Sequence, residues 1–201
     1  IGEQASSGAN LSGHYNVAIG HCAGWRIEAS CKNVGIGFKA FGGGYVSGDN
    51  NVAIGSTALD ANTSGNNNIA IGRDALGAAT TGVHNIALGY LALGGAVTTG
   101  GCNVAIGHGA MDALTSGLRN VAIGENALGA LTTGLYNVAA GLGAGFTSST
   151  SCNNTLIGRD AGYGVTTGGS ISSLANRMSR RFGRRKIFIR LRLCCTSVGM
   201  A

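Results

Sequence analysis

One pattern returns along most of the chain: an Asn, an apolar residue, a small residue, a second apolar residue and a Gly. It first reads Asn16-Val17-Ala18-Ile19-Gly20 and recurs from Asn33, Asn51, Asn68, Asn85, Asn103, Asn120, Asn137 and Asn154, at steps of 17 or 18 residues. With each Asn counted as position one, Gly holds position five in all nine units: Gly20, Gly37, Gly55, Gly72, Gly89, Gly107, Gly124, Gly141 and Gly158. Ala holds position eight in all nine, from Ala23 to Ala161, and position nine is often long and apolar, as in Leu59, Leu76, Leu93, Met111 and Leu128. A Thr-Thr-Gly or Ser-Gly turn closes most units, for example Thr80-Thr81-Gly82. The chain opens on Ile1-Gly2-Glu3-Gln4-Ala5, the back half of a further unit, and so reads as a piece of a longer protein.

Apolar residues two apart share one face of a strand, because side chains alternate. Seventeen residues are too few for a helix pair, which needs about 33, but suit one coil of a solenoid with two short strands and two turns. The expected fold is therefore all-β, a parallel β-solenoid (β-roll) of about nine 17-residue coils spanning residues 1–168. Val and Ile at positions two and four are expected to face inward, with the Ala between them outward, against another chain. Gly at position five supplies a turn or a backbone conformation closed to other residues. The fixed Ala at position eight marks a site with room for one methyl. The invariant Asn is expected to stack coil on coil as a side-chain amide ladder. At about 4.8 Å per coil, nine coils make a rod of about 43 Å.

Composition narrows the class. The chain has 37 Gly among 201 residues, no Pro, 5% aromatic and 11% charged residues, and is 44% hydrophobic. The hydrophobic content argues against disorder, the missing Pro and triplet period exclude collagen, and no apolar run of about 18 residues exists to span a membrane. Residues so small enclose little apolar volume per coil, so a thin solenoid needs stacking, end caps and lateral partners.

The unit Asn-Val-Ala-Ile-Gly-x-x-Ala-Leu-x-x-x-Thr-Thr-Gly resembles the head repeats of trimeric autotransporter adhesins, the YadA-like family, and is similar to repeats of trimeric phage tail fibres. The resemblance implies a left-handed parallel β-roll, a homotrimer, and adhesion to a glycan or protein of a host surface, from an extracellular position on a bacterial cell or a virion tail fibre. It implies no enzymatic activity and no cofactor. Two rival functions are an ice-binding or surface-templating solenoid and a fragment of a tail-spike polysaccharide depolymerase. Ice binding calls for outward Thr two apart on every coil, whereas these Thr pairs are adjacent and point to opposite faces of a strand. A depolymerase needs two carboxylates facing each other across a cleft.

Charge divides the chain. Residues 1–170 hold six basic and eight acidic residues, a net of −2, while residues 171–201 hold eight basic residues and no acid, a net of +8. The segment 169–201 is thus a basic, non-repeat tail. It reads as an anion-binding arm, a solvated end, or a disordered stretch from a shifted frame; the last is favoured, and nucleic acid is not expected as a partner. Chemistry-bearing residues are sparse. Six Cys are placed poorly for bridging, since Cys102 and Cys152 lie about three coils apart, on the order of 14 Å. His21 and His108 share position six but lie five units apart, too far for one metal site. Asp74 and Asp160 follow Arg73 and Arg159 and read as solvated turn pairs. Gly35-Ile36-Gly37 and Gly141-Leu142-Gly143 imitate dinucleotide loops but open no helix. Positions six and seven vary freely and are where a ligand would be sought.

Overall fold

The computed structural model describes residues 1–6, 12–25, 27, 29–174 and 189–190. Nine three-residue strands, one per unit, run in parallel: β1 (Val17–Ile19), β2 (Val34–Ile36), β3 (Val52–Ile54), β4 (Ile69–Ile71), β5 (Ile86–Leu88), β6 (Val104–Ile106), β7 (Val121–Ile123), β8 (Val138–Ala140) and β9 (Thr155–Ile157). A tenth parallel strand, β10 (Ile171–Leu174), follows beyond residue 168, and β11 (Ile189–Arg190) closes the sheet. Each strand pairs with the next in sequence, at identical repeat positions, as in Val104↔Val121 and Ile106↔Ile123. The architecture is an all-β parallel β-solenoid of about nine coils.

The expected second strand per coil is reduced to isolated parallel bridges, Ile27↔Val46, Leu118↔Leu135 and Cys152↔Gly169. The backbone is the reason. Non-Gly residues at positions seven and nine, such as Asp74 (φ 57°) and Leu76 (φ 48°), and the residue before each Asn, such as His84 (φ 58°), are left-handed. These residues curl the chain out of the extended region. Coil-to-coil hydrogen bonding nonetheless continues around the turns, as in Leu76 N to the Ala92 carbonyl and Asp74 N to the Ser56 carbonyl, both 3.0 Å.

The strand faces are the reverse of expectation. Ala53, Ala70, Ala87, Ala105, Ala122 and Ala139, at position three, are fully buried, while the flanking Val and Ile lie half-buried or exposed. The inward residue is the small one because the coil is thin. Ala at position eight is fully buried in every unit, and Leu59, Leu76, Leu93, Met111 and Leu128 at position nine fill the remaining interior. A position-three Val or Ile would collide with them in a core at native density.

Two coils trade volume between positions three and nine, and where Gly24 and Gly145 stand at position nine beside a position-three Ala, Ile27 and the neighbouring Leu128 and Leu156 fill the space. Where position nine is Phe41, position three is Gly35, and an added Cβ there would lie 3.2 Å from the Phe41 ring. Where position three is Leu156, position nine is Gly162, and a Cβ at Gly162 would meet Leu156 Cδ2 at 2.7 Å. The 18-residue units starting at Asn33 and Asn85 take up their extra residue in the turns, and the strand register is unbroken: Val34↔Val52 and Ile86↔Val104. A slip of one residue would turn the Ala face outward and force the Val/Ile face into a space that cannot hold it.

Candidate functional site

The outward Val and Ile form two adjacent columns, one through Val34, Val52 and Ile69, the other through Ile36, Ile54 and Ile71. Ile19, Ile123 and Ile157 remain 40–44% exposed. The nine strands β1 to β9, at about 4.8 Å by three residues at about 3.3 Å, give an apolar stripe of about 430 Å², broken at Thr155 and ending where β10 presents Ser172. That area lies within the range of about 300–600 Å² for the largest patch of a typical monomer, and such patches are often functional. Among the described residues, no helix is long and apolar enough to cross a membrane.

Inside the stripe runs the Asn column. The backbone N–H of each Asn from Asn33 to Asn154 donates to Oδ1 of the preceding Asn at 2.9–3.1 Å. In Asn51, Asn68, Asn103, Asn120, Asn137 and Asn154, Nδ2 donates to the same oxygen at 2.9–3.2 Å. Nδ2 also donates to a carbonyl near the end of its own coil, for example Asn103 to Gly117 at 2.9 Å. From Asn16 to Asn137 each amide therefore closes its own coil through Nδ2 and joins it to the next coil through Oδ1. All are fully buried or nearly so except Asn16, which sits at the partly exposed end. The position-five glycines stack in a column of their own, at the other end of the strands. At Gly89 (φ +126°) an added Cβ would lie 2.8 Å from the Gly107 carbonyl oxygen, and the equivalent contact is 2.5–2.8 Å from Gly20 to Gly141.

Position six forms an exposed column of its own. Arg73 lies 4.2 Å over the Tyr90 ring, Tyr90 stacks on His108 at 5.1 Å, and His108 Nδ1 lies 3.8 Å from Glu125. A shorter version joins Glu3, His21 and Phe38, with His21 Nε2 4.0 Å from Glu3 and stacked 5.6 Å from Phe38. The two sets lie on separate parts of the rod, and each histidine is held by its own neighbours. No group of three or more metal-ligating side chains exists among the described residues.

The remaining candidates are dispersed. Asp74 and Asp160 contact Arg73 and Arg159 at 3.5 and 3.6 Å, and the Thr57 hydroxyl also donates to Asp74. Burial pushes the Asp60 carboxyl above the ordinary carboxylate range, against the opposing effects of Lys39 and the Gly42 N–H, with Asp74 adding to the rise. Its Oδ1 is buried without a hydrogen-bond partner. Burial raises Asp112 likewise, against hydrogen bonds from its own N–H and that of Ala113 and the influence of His108. Cys22, Cys31, Cys102 and Cys152 are free thiols. Of the pair Thr98-Thr99, Thr98 is buried and donates to the Leu114 carbonyl, while Thr99 is exposed. The outward hydroxyls of Thr63, Thr99, Thr115 and Thr132 each donate to a carbonyl of the following coil, in single file. The readings of the basic tail fall on residues outside those described, apart from the strands at 171–174 and 189–190.

Comparison with protein-family models, with curated proteins and with solved structures finds no match. Function is therefore argued from the surface itself. The stripe and the position-six stack escaped the sequence reading. Stacking between positions six of successive units could have been sought by aligning Arg73, Tyr90, His108 and Glu125.

Proposed function

We propose that this chain is a non-enzymatic, rod-forming attachment segment that assembles as a homotrimer through its Val/Ile stripe. In this reading it contacts a host-surface glycan or protein through the turn residues that remain outside, on a bacterial cell surface or a virion tail fibre. The observation that carries the reading is the apolar stripe that runs from β1 to β8 and is first broken at Thr155, on an otherwise turn-rich rod. Each copy has one such face, and three copies turned toward a common axis remove all three from water. At about 25 cal/mol per Å², burying a face of about 430 Å² is worth about 11 kcal/mol per copy before association costs. The resemblance of the Asn-Val-Ala-Ile-Gly unit to adhesin heads and tail-fibre repeats points the same way. Three parallel rods carry three copies of every turn, which raises avidity without strong single sites.

The test is the solution mass of the full chain by light scattering after size exclusion. A mass three times the 19.9 kDa of one chain is expected. Ile71→Lys combined with Ile106→Lys is expected to give a single-chain mass with the β-signal in circular dichroism retained. On an array of glycans and matrix proteins, the trimer is expected to bind and the Lys variant to lose that binding. A monomeric parent, or a trimer indifferent to the two Lys, would overturn the assembly. A trimer silent across the array would overturn the attachment role.

A further inference from the structure

A parallel sheet of this kind ends in a strand whose outer N–H and C=O groups have no neighbouring coil. Such an edge is a template for pairing with another chain. Here the edge is β10. Its inner side is paired with β9, Ser172↔Thr155 and Leu174↔Ile157. Its outer side is occupied by β11, Ile171↔Arg190 and Ser172↔Ile189. Two features set this contact apart from the other strand pairings.

First, the amide ladder stops. Asn154 Oδ1 accepts from the Ile171 N–H at 3.0 Å, and Ile171 stands where the next Asn is due. Ile171 has no side-chain amide to offer a further parallel coil. Second, β11 is antiparallel, whereas every pairing from β1 to β10 is parallel. Two identical edges brought together about a twofold axis also meet antiparallel, because a twofold contact is made by the same patch on both partners. The β11 strand therefore takes the direction that β10 of a second copy would take.

We infer that β11 is a cap, supplied by the basic tail, that holds the edge at which a second copy would otherwise pair tail to tail. Fourteen residues separate β10 from β11, enough chain for the reversal of direction. β11 carries Arg190, and a charged residue on an edge strand discourages further pairing. Eight basic residues without an acid from residue 171 onward also set two tails against each other by charge. The tail is thus assigned a role as an end stop, where the sequence alone favoured a stretch without one.

The experiment compares the full chain with two variants, a chain ending at Leu174 and the full chain carrying Ile189→Pro, which removes an N–H and restricts the backbone at the cap. Light scattering after size exclusion is run over a hundredfold range of concentration, with circular dichroism on each sample and small-angle scattering for particle length. Both variants are expected to keep the β-signal and to reach twice the mass and about twice the length of the full chain. The doubling is read against the full chain's own mass and is independent of whether that mass is a trimer's. Variants with the full chain's mass at every concentration would overturn the cap. So would an open-ended series of masses, which is not a twofold contact, or loss of the β-signal in both variants, which would make β11 a folding element.

Discussion

Replacing one Asn in the middle of the ladder tests what holds coil to coil. In Asn103→Ala, Nδ2 no longer reaches Asn85 Oδ1 (3.1 Å) or the Gly117 carbonyl (2.9 Å). Oδ1 no longer accepts from Asn120 N (3.0 Å) or Asn120 Nδ2 (3.1 Å). Two of the four partners keep another bond: Asn85 Oδ1 still accepts from Asn103 N, and Asn120 Nδ2 still donates to Gly134. The Asn120 N–H and the Gly117 carbonyl lose their side-chain partner in a dry interior. At about 1–3 kcal/mol for each stranded group, the expected cost is about 2–6 kcal/mol. Asn16→Ala is the control. Its side chain makes two of these bonds, to Ser30 and from Asn33, at the partly exposed end, where water replaces them. Urea unfolding followed by circular dichroism is the assay, with linear extrapolation to water. Because neighbouring coils support one another, the Asn103 variant is expected to broaden or split the transition as the rod divides into two blocks. A loss below about 1 kcal/mol, or one no larger than that of Asn16→Ala, would refute the ladder as the principal inter-coil tie.

The trade of volume between positions three and nine predicts compensation: Ala105→Leu is expected to cost about 1–3 kcal/mol or more by overpacking, and Met111→Gly about 2–5 kcal/mol by opening a cavity. The double variant should recover at least about 1 kcal/mol of the summed loss, as the Leu156 and Gly162 pair does natively, and strict additivity in a double-mutant cycle would refute it. Gly89→Ala, forced into φ +126° with its methyl against the Gly107 carbonyl, should lose at least about 2 kcal/mol, whereas Gly44→Ala, with nothing nearer than 3.8 Å, should be close to neutral; thermal unfolding of both checks this. Asp60 and Asp112 have raised folded pKa values, so each holds its proton more firmly folded than unfolded, and stability falls as pH rises from about 4 through those values. The double variant Asp60→Asn/Asp112→Asn should therefore exceed the parent in urea midpoint at pH 7 and match it near pH 4; an equal gap at both would count against the burial of these carboxylates.

Much of the rod is legible in the residues because repetition removes ambiguity. Nine Asn, nine Gly and nine Ala in strict phase give the coil count, the ladder and the stacked glycines, each of which has a local physical cause. The facing of the strands was not legible from hydrophobicity, which sends Val52 and Ile54 inward ahead of Ala53. Size decides instead, and the sequence carries that information in a less obvious place. Gly35 occurs with Phe41, and Leu156 with Gly162, so positions three and nine share one volume. Positions two and four show no such trade, as expected of residues outside the coil. The second strand of each coil is expected from the repeat length but does not form, because the left-handed Leu and Asp residues that curl the chain there are disfavoured by propensity and leave no sequence signal. The alternation Ile189-Arg190-Leu191-Arg192-Leu193 does read like a strand, but five residues of such a pattern arise readily by chance, and nothing in them names β10 as the partner.

The unbroken register across 17- and 18-residue units has a consequence for how such a chain changes over generations. The junction where Leu156 fills the space at Gly145 of the coil before is matched to its own neighbour, but most junctions between coils present the same amide, glycine and methyl contacts and are interchangeable. Unequal crossing-over between repeats in the gene therefore deletes or duplicates whole coils and leaves both new neighbours matched. Reach varies in quanta of about 4.8 Å, and a lineage can lengthen or shorten the rod in single genetic events without passing through a misfolded intermediate. Extra residues in the turns, as in the units starting at Asn33 and Asn85, offer a second and separate dial, by which surface loops diversify while length stays constant.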